Sequence, residues 1–136
     1  MGPMNANIKP DSATIAKLLI AKAHDGFRPL PYYFEKGSGD AVVQTLNVNV
    51  INTARAVLVD RGYGYKPSAA ARTFAKRFVD TGEFPGRFGV LLQTLAHLDH
   101  EADFSPRFSI SKSELHELES ETRAFLAAAE EYLKKE

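Results

Sequence analysis

Residues 111–135, SKSELHELESETRAFLAAAEEYLKK, decide the fold class. Ser111 and Glu114 have the spacing of a capping box, in which two side chains satisfy free backbone amides at the start of a helix. Apolar residues then recur at helical spacing; they are Leu115, Leu118, Phe125, Leu126, Ala129, Tyr132 and Leu133. Lys134 and Lys135 follow at the negative end of the helix dipole. The stretch therefore predicts a long amphipathic helix with one face against a core.

Four further helical segments are predicted upstream, from the same spacing of apolar residues. They cover about residues 11–24, 40–62, 67–82 and 85–102. Asp11 or Ser12 can cap the first segment, because a short side-chain oxygen accepts from the amides of the first turn. Pro67 suits the first position of the third segment, because it has no amide hydrogen to leave unsatisfied.

The second of these segments carries mixed signals. Its apolar residues repeat every three or four positions over residues 40–62, which favours a helix. Valine and isoleucine are frequent in it, so a strand stays open, and Asn47, Asn49 and Asn52 are poor helix formers in its middle. The sustained helical period decides for a helix that ends at Gly62.

Residues 27–38 interrupt the helical pattern. Pro29 and Pro31 exclude a regular helix there, and a flexible glycine turn follows. The segment also contains three aromatic residues in a row, Tyr32, Tyr33 and Phe34. We expect a loop that these side chains hold against the core; the alternative is an aromatic loop that binds a ligand or a partner.

Composition places the chain among single-domain globular proteins. It has 136 residues, 44% of them hydrophobic and 25% charged, which is enough for one core. The absence of cysteine excludes a disulfide scaffold, a thiolate metal site and a cysteine nucleophile. We expect an all-α, up-down bundle of four to five helices over residues 11–136. Residues 1–10 form an N-terminal tail whose first residues have the form of an expression remnant.

Charge and hydropathy exclude further classes of protein. The 17 basic and 17 acidic residues balance, which excludes a strongly cationic nucleic-acid-binding surface over the whole chain. No apolar run approaches the roughly 20 residues needed to span a bilayer, and no signal peptide is visible. The turn at residues 62–66 lacks the ending of a phosphate loop. We therefore expect a cytoplasmic protein with no membrane partner and no cofactor.

Charge is nevertheless uneven along the chain. Residues 53–112 hold nine basic and six acidic residues, whereas residues 113–136 hold three and seven. The candidate residues for binding a nucleic acid or a partner are Tyr65, Lys66, Arg72, Lys76 and Arg77. A basic helix face suits phosphates or an acidic partner, and a tyrosine can stack on a base. The alternative is a solvated helix face beside a tyrosine that packs a helix connection.

The densest group of potential metal ligands lies at the end of the fourth segment. His97, His100 and Asp103 recur every three residues, so they can share one helix face. They could bind Zn²⁺ or another divalent ion, or they form a polar helix end in water. Asp99 lies near the edge of the apolar stripe. There it lines a cleft or a dimer interface, or it pairs, half-exposed, with a Lys or Arg.

Several motifs, taken in order, resemble a known family. They are Ala54-Arg55-Ala56-Val57-Leu58-Val59-Asp60-Arg61-Gly62, Ala102-Asp103-Phe104, Ile110-Ser111-Lys112 and Ala129-Glu130-Glu131-Tyr132-Leu133. Over residues 40–135 their order and spacing resemble the HEPN domain (higher eukaryote and prokaryote nucleotide-binding), in particular its short stand-alone bacterial members. The resemblance implies an up-down helical bundle that dimerises. It also implies, in many members, an RNase that acts as a toxin beside a nucleotidyltransferase-type antitoxin.

The catalytic motif of that family is missing. Its RNases use an Arg and a His about four to six residues apart, which neutralise the phosphate and move a proton. No Arg stands at that spacing before His24, His97, His100 or His116, and Asp99 occupies a position where the family typically has an Arg. The resemblance therefore implies a degenerate active site, from which no catalytic residue is carried over.

Two functions follow from this departure. The first is a non-catalytic, homodimeric binding protein for a protein, RNA or nucleotide partner, in a stress, defence or toxin–antitoxin setting. The alternative is an enzyme: a diverged RNase or a metal-dependent hydrolase that uses His97, Asp99 and His100.

Overall fold

The computed structural model describes residues 10–135, and most of them are helical. Residues 1–9 of the predicted N-terminal tail, which was expected over residues 1–10, lie outside the described residues, as does Glu136. The helical elements of the described part are α1 (Ser12–Asp25), α2 (Leu30–Glu35), α3 (Gly39–Asp60), α4 (Pro67–Phe74), a π-helical turn (Ala75–Val79), α5 (Gly86–Phe104) and α6 (Lys112–Lys134). The all-α prediction is confirmed for residues 10–135, where no strand occurs. A strand over residues 40–62 is thereby excluded.

The helix starts form largely as the sequence predicts. Asp11 caps α1, because its Oδ1 accepts from the amide of Thr14 at 2.8 Å. The Ser111 hydroxyl oxygen accepts from the amide of Glu114 at 3.1 Å and so caps α6. The Glu114 carboxylate accepts from the Ser111 hydroxyl, at 3.0 Å, rather than from the backbone amide that a complete capping box would use.

The prediction of a loop over residues 27–38 is wrong in its middle, where α2 forms. Pro29 and Pro31 flank the first residue of this helix, and Tyr33 donates its amide to the Pro29 carbonyl at 3.1 Å. A proline costs no hydrogen bond in a first turn, because those amides have no intrahelical partner. The expected anchoring by the three aromatic residues holds for Tyr33 and Phe34, which pack partly buried against the core, but not for Tyr32, which is 60% exposed.

The third predicted segment is a continuous helix with a change of pitch. Its second half is the π-helical turn, where the Asp80 amide donates to the Ala75 carbonyl at 2.8 Å, five residues back. Phe74 and Phe78 on either side of the change are both buried, with ring centroids 5.3 Å apart. The segment turns at Gly82, where φ is +82°.

α3 is the central helix of the fold. It contacts α1, α4, α5 and α6, and most of its circumference is buried. Its fully buried apolar residues are Val42, Val43, Leu46, Val50, Ala54, Ala56, Val57 and Leu58. Apart from exposed positions such as Gln44 and Val48, neighbouring helices cover most of α3, which explains the frequent valines and isoleucines in its sequence. No helix within the described residues is long and apolar enough to cross a bilayer.

A polar network joins the far end of α3 to α6. The Arg61 Nε donates to the Tyr132 hydroxyl oxygen at 3.2 Å, and the Arg61 guanidinium lies 4.5 Å from the centre of the Tyr132 ring. The Tyr132 hydroxyl in turn donates to the Glu83 carboxylate. Burial and the Glu83 carboxylate raise the pKa of Tyr132 above its usual value.

Candidate functional site

A polar contact between α3 and α5, here called the α3–α5 seam, brings two aspartates to one place. Its members are Gln44, Asn47, Asp99 and Asp103. The Gln44 Nε2 donates to Asp103 Oδ1 at 2.8 Å, and the Asn47 Nδ2 donates to Asp99 Oδ2 at 3.1 Å. Numbers rise along α3 as they fall along α5, so the two helices are antiparallel here. Gln44 and Asn47 are one turn apart, as are Asp99 and Asp103, and the two pairs therefore face each other.

The seam carries negative charge. The hydrogen-bond donors to both carboxylates are neutral carboxamides, so they orient the two aspartates without neutralising them. Asp99 is half-buried and Asp103 is exposed. Asp99 lies at a contact between two helices of the same chain, and its hydrogen-bond partner among residues 10–135 is Asn47 rather than the Lys or Arg of one alternative. The other alternative, a cleft or a dimer interface, stays a prediction. This seam therefore repels an approaching phosphate.

The asparagines of α3 are buried and incompletely bonded. Asn49 is 2% exposed, and neither of its side-chain polar atoms bonds a described residue; the same is true of Asn47 Oδ1. Asn52 differs, because its Oδ1 accepts from Arg55 Nη1 at 3.2 Å. A buried polar atom without a partner costs about 1–3 kcal/mol, so α3 carries a stability cost at its centre.

The end of α1 packs directly on Asn49. A Cβ atom added at Gly26 would lie 2.9 Å from Asn49 Oδ1, which is closer than real Cβ contacts allow. Gly26, which follows the last residue of α1, therefore permits the close approach of α1 and α3.

The candidate metal ligands at the end of α5 are not brought together. His97 lies 3.7 Å from the Glu101 carboxylate, and the His100 ring packs at a tilt of 38° against the Phe104 ring, with centroids 4.7 Å apart. Asp103 turns to Gln44 in the seam. No three His, Asp or Glu side chains within residues 10–135 are placed to hold one metal ion. Both histidines are exposed at the end of α5.

The other two histidines are each engaged elsewhere. His24 lies 3.1 Å from the Glu130 carboxylate, where α1 meets α6. His116 stacks flat on the Phe34 ring at 4.2 Å and so fixes α2 against α6. Neither lies beside the α3–α5 seam in sequence or in contacts, so neither supplies an acid or base to it.

The predicted basic face is present as a set of exposed side chains. Arg72 lies on α4, and Lys76 and Arg77 lie in the π-helical turn that continues it; all three are exposed. The Arg77 guanidinium lies 5.2 Å from the centre of the Tyr63 ring. Proteins that bind single-stranded nucleic acids commonly present an exposed aromatic ring beside exposed cations.

Tyr65 and Lys66 have different surroundings. The Tyr65 carbonyl accepts from Arg55 Nε at 2.7 Å, and the Arg55 guanidinium lies 5.5 Å from the centre of the Tyr65 ring. The ring is half-buried and packs against the core, so it fixes the connection between α3 and α4. Lys66 precedes α4 and is exposed. The sequence did not single out Gln44, although its one-turn separation from Asn47 matches that of the two aspartates.

Comparisons with known proteins add no family to this geometry. The chain matches no protein-family model, no curated protein and no solved structure. The HEPN resemblance therefore depends on the sequence motifs alone.

Proposed function

We propose that this chain is a non-catalytic, HEPN-like binding protein. In this proposal it acts by holding a protein, RNA or nucleotide partner in a stress, defence or toxin–antitoxin setting. A homodimer and a nucleotidyltransferase-type antitoxin as partner follow from the same resemblance and belong to the same proposal. The site residues are the exposed cations Arg72, Lys76 and Arg77, together with the acidic α3–α5 seam.

The observation that carries the proposal is the hydrogen bond between Asn47 and Asp99. At the position where a catalytic relative would present an arginine, this chain holds a carboxylate in place with a carboxamide. Two unit charges about 4 Å apart interact by roughly 4 kcal/mol at an effective dielectric constant of 20. A cation at this position would attract a scissile phosphate, whereas an anion repels it with an energy of similar size. This position therefore opposes phosphate binding and RNA cleavage.

The surroundings of His97 and His100 support the same proposal. Each is exposed to water and contacts a residue of its own helix. A general base must lie within hydrogen-bond reach of the group it deprotonates, and a neighbouring group usually orients it. The hydrogen bonds of the seam join Gln44 to Asp103 and Asn47 to Asp99, and neither histidine takes part in them, so the seam offers a binding surface rather than an assembled catalytic pair.

A nuclease assay with matched variants tests the proposal. The purified protein is incubated with a fluorescent single-stranded RNA, alongside the double variant His97→Ala/His100→Ala. We expect no cleavage by either protein. RNA cleavage that the double variant abolishes would contradict the proposal and establish the enzyme alternative.

A binding assay separates the partner classes within the proposal. RNA that binds through the basic face should lose affinity as salt rises, and also in the triple variant Arg72→Ala/Lys76→Ala/Arg77→Ala. The control is Lys17→Ala/Lys22→Ala on α1, which removes two exposed cations from another face. RNA affinity that is equal in both variants would exclude the basic face as the binding site.

A further inference from the structure

Helices α5 and α6 leave an apolar groove between them, with a volume of about 660 Å³. Leu91 and Leu98 of α5 and Leu118 of α6 line it. Val90 lies at its edge and is 62% exposed, although it belongs to the most hydrophobic class of side chains. Covering such a groove removes apolar surface from water, which is the main favourable contribution to most protein association.

The α6 edge of this α5–α6 groove is acidic. Glu114, Glu117 and Glu121 line it at successive turns of α6. Glu117 is exposed and forms no ion pair with a described residue. Arg87 at the end of the groove pairs with Glu121, with 3.2 Å between Nη1 and Oε1. The groove is thus lined by three glutamates and one arginine, so its α6 edge carries a net negative charge beside the apolar side chains.

We propose that the α5–α6 groove binds an amphipathic helical segment of a partner protein. The apolar side chains of that segment fill the groove, and its Lys or Arg side chains pair with the glutamates of α6. The inference names the partner class for the binding function proposed above and rests on it. The α5 wall from Arg87 to Leu98 is about 16 Å long at 1.5 Å per residue, which matches about three turns of a docked helix.

The charge pattern selects this occupant over others. Cations spaced at i, i+3 and i+7 on the partner helix match the spacing of Glu114, Glu117 and Glu121. A second copy of this chain docked symmetrically would place the same acidic edges against each other. The basic face of α4 matches in charge, but α4 has no large exposed apolar side chain within the described residues with which to fill the groove. RNA would meet the acidic edge and be repelled.

Fluorescence anisotropy with two matched peptides tests the proposal on the full chain. The first peptide has about 18 residues, with leucines at i, i+3, i+4 and i+7 and lysines flanking them. The second has glutamate in place of each lysine. We expect saturable binding of the basic peptide, at least tenfold tighter than that of the acidic one at about 50 mM salt, with the difference shrinking as salt screens the charges.

Variants in the groove locate the binding. Val90→Ser should weaken the basic peptide about fivefold to tenfold, because it removes apolar contact area from an exposed position. Glu117→Lys should weaken it about fivefold at low salt. Glu131→Lys, which reverses a charge on α6 outside the groove, is the matched control and should leave the affinity unchanged.

Other results would overturn either the groove proposal or the proposed function. Equal affinity for both peptides, no saturable binding, or full affinity in the Val90 and Glu117 variants would overturn the groove proposal. Cleavage of RNA that depends on His97 and His100 would instead overturn the proposed function while leaving the peptide result intact. The two failures are therefore distinguishable.

Discussion

Replacing Asn49 by leucine should stabilise the protein. Asn49 is 2% exposed, and neither its Oδ1 nor its Nδ2 bonds a described residue. Each such atom costs about 1–3 kcal/mol, and leucine removes both while keeping nearly the same side-chain shape and improving helix propensity. Crowding against Gly26 offsets part of this gain, because the two residues already approach closely. We expect the free energy of unfolding to rise by about 2 kcal/mol.

Urea denaturation followed by circular dichroism measures this change. The midpoint should move to higher urea with an unchanged slope, and the thermal midpoint should rise by about 5–10 °C. Asn47→Leu is the matched control. It removes one unbonded atom but also the hydrogen bond to Asp99, so it should give little or no gain.

A loss of more than about 1 kcal/mol in Asn49→Leu would refute the reasoning. It would mean that the carboxamide makes favourable hydrogen bonds in solution that leucine cannot replace. An equal gain in Asn47→Leu would refute a different step, because the hydrogen bond across the α3–α5 seam would then contribute nothing to stability.

Three further changes have defined outcomes. Gly26→Ala should destabilise the fold by about 1–3 kcal/mol, since its Cβ would meet Asn49 at 2.9 Å, whereas Gly64→Ala, with open space around it, should be nearly neutral in urea denaturation. Ser111→Ala should lower the free energy of unfolding by about 1 kcal/mol through loss of the α6 cap; an unchanged midpoint would contradict the role of that cap. The raised pKa of Tyr132 predicts stability that is complete below pH 10.0, the ordinary pKa of tyrosine, and is lost as pH rises through the higher folded value. Urea midpoints at rising alkaline pH should show a smaller loss in Tyr132→Phe, and equal losses would contradict this assignment.

Much of the fold follows from local sequence signals. The caps at Asp11 and Ser111 and the proline at the start of α4 mark helix ends that the structure confirms. The apolar period identified α3 despite its asparagines and valines, because packing against several neighbouring helices overrides weak helix propensity. The α2 helix was missed because proline excludes a helix interior but not a first turn, and a six-residue helix has too few positions to show a period.

The candidate site could be predicted only in part. Asp99 was singled out from its place beside the apolar stripe, but its partner Asn47 is 52 residues away, and local spacing gives no pairing between distant helices. The π-helical turn at residues 75–79 carries no local signal in the sequence either. The α5–α6 groove was likewise outside sequence reasoning, because Val90 lies off the apolar stripe and only the helix packing leaves it uncovered.

The central position of α3 determines how the molecule unfolds. Helices that precede α3 and helices that follow it all contact it, so no cut in the chain yields two pieces with separate cores. Partial unfolding that exposes α3 to solvent must first separate the neighbouring helices from it. Its amides should therefore exchange with solvent only through global unfolding, whereas the ends of α1 and α6 open in smaller steps. The helix with the costly buried asparagines is thus also the one whose backbone is best protected.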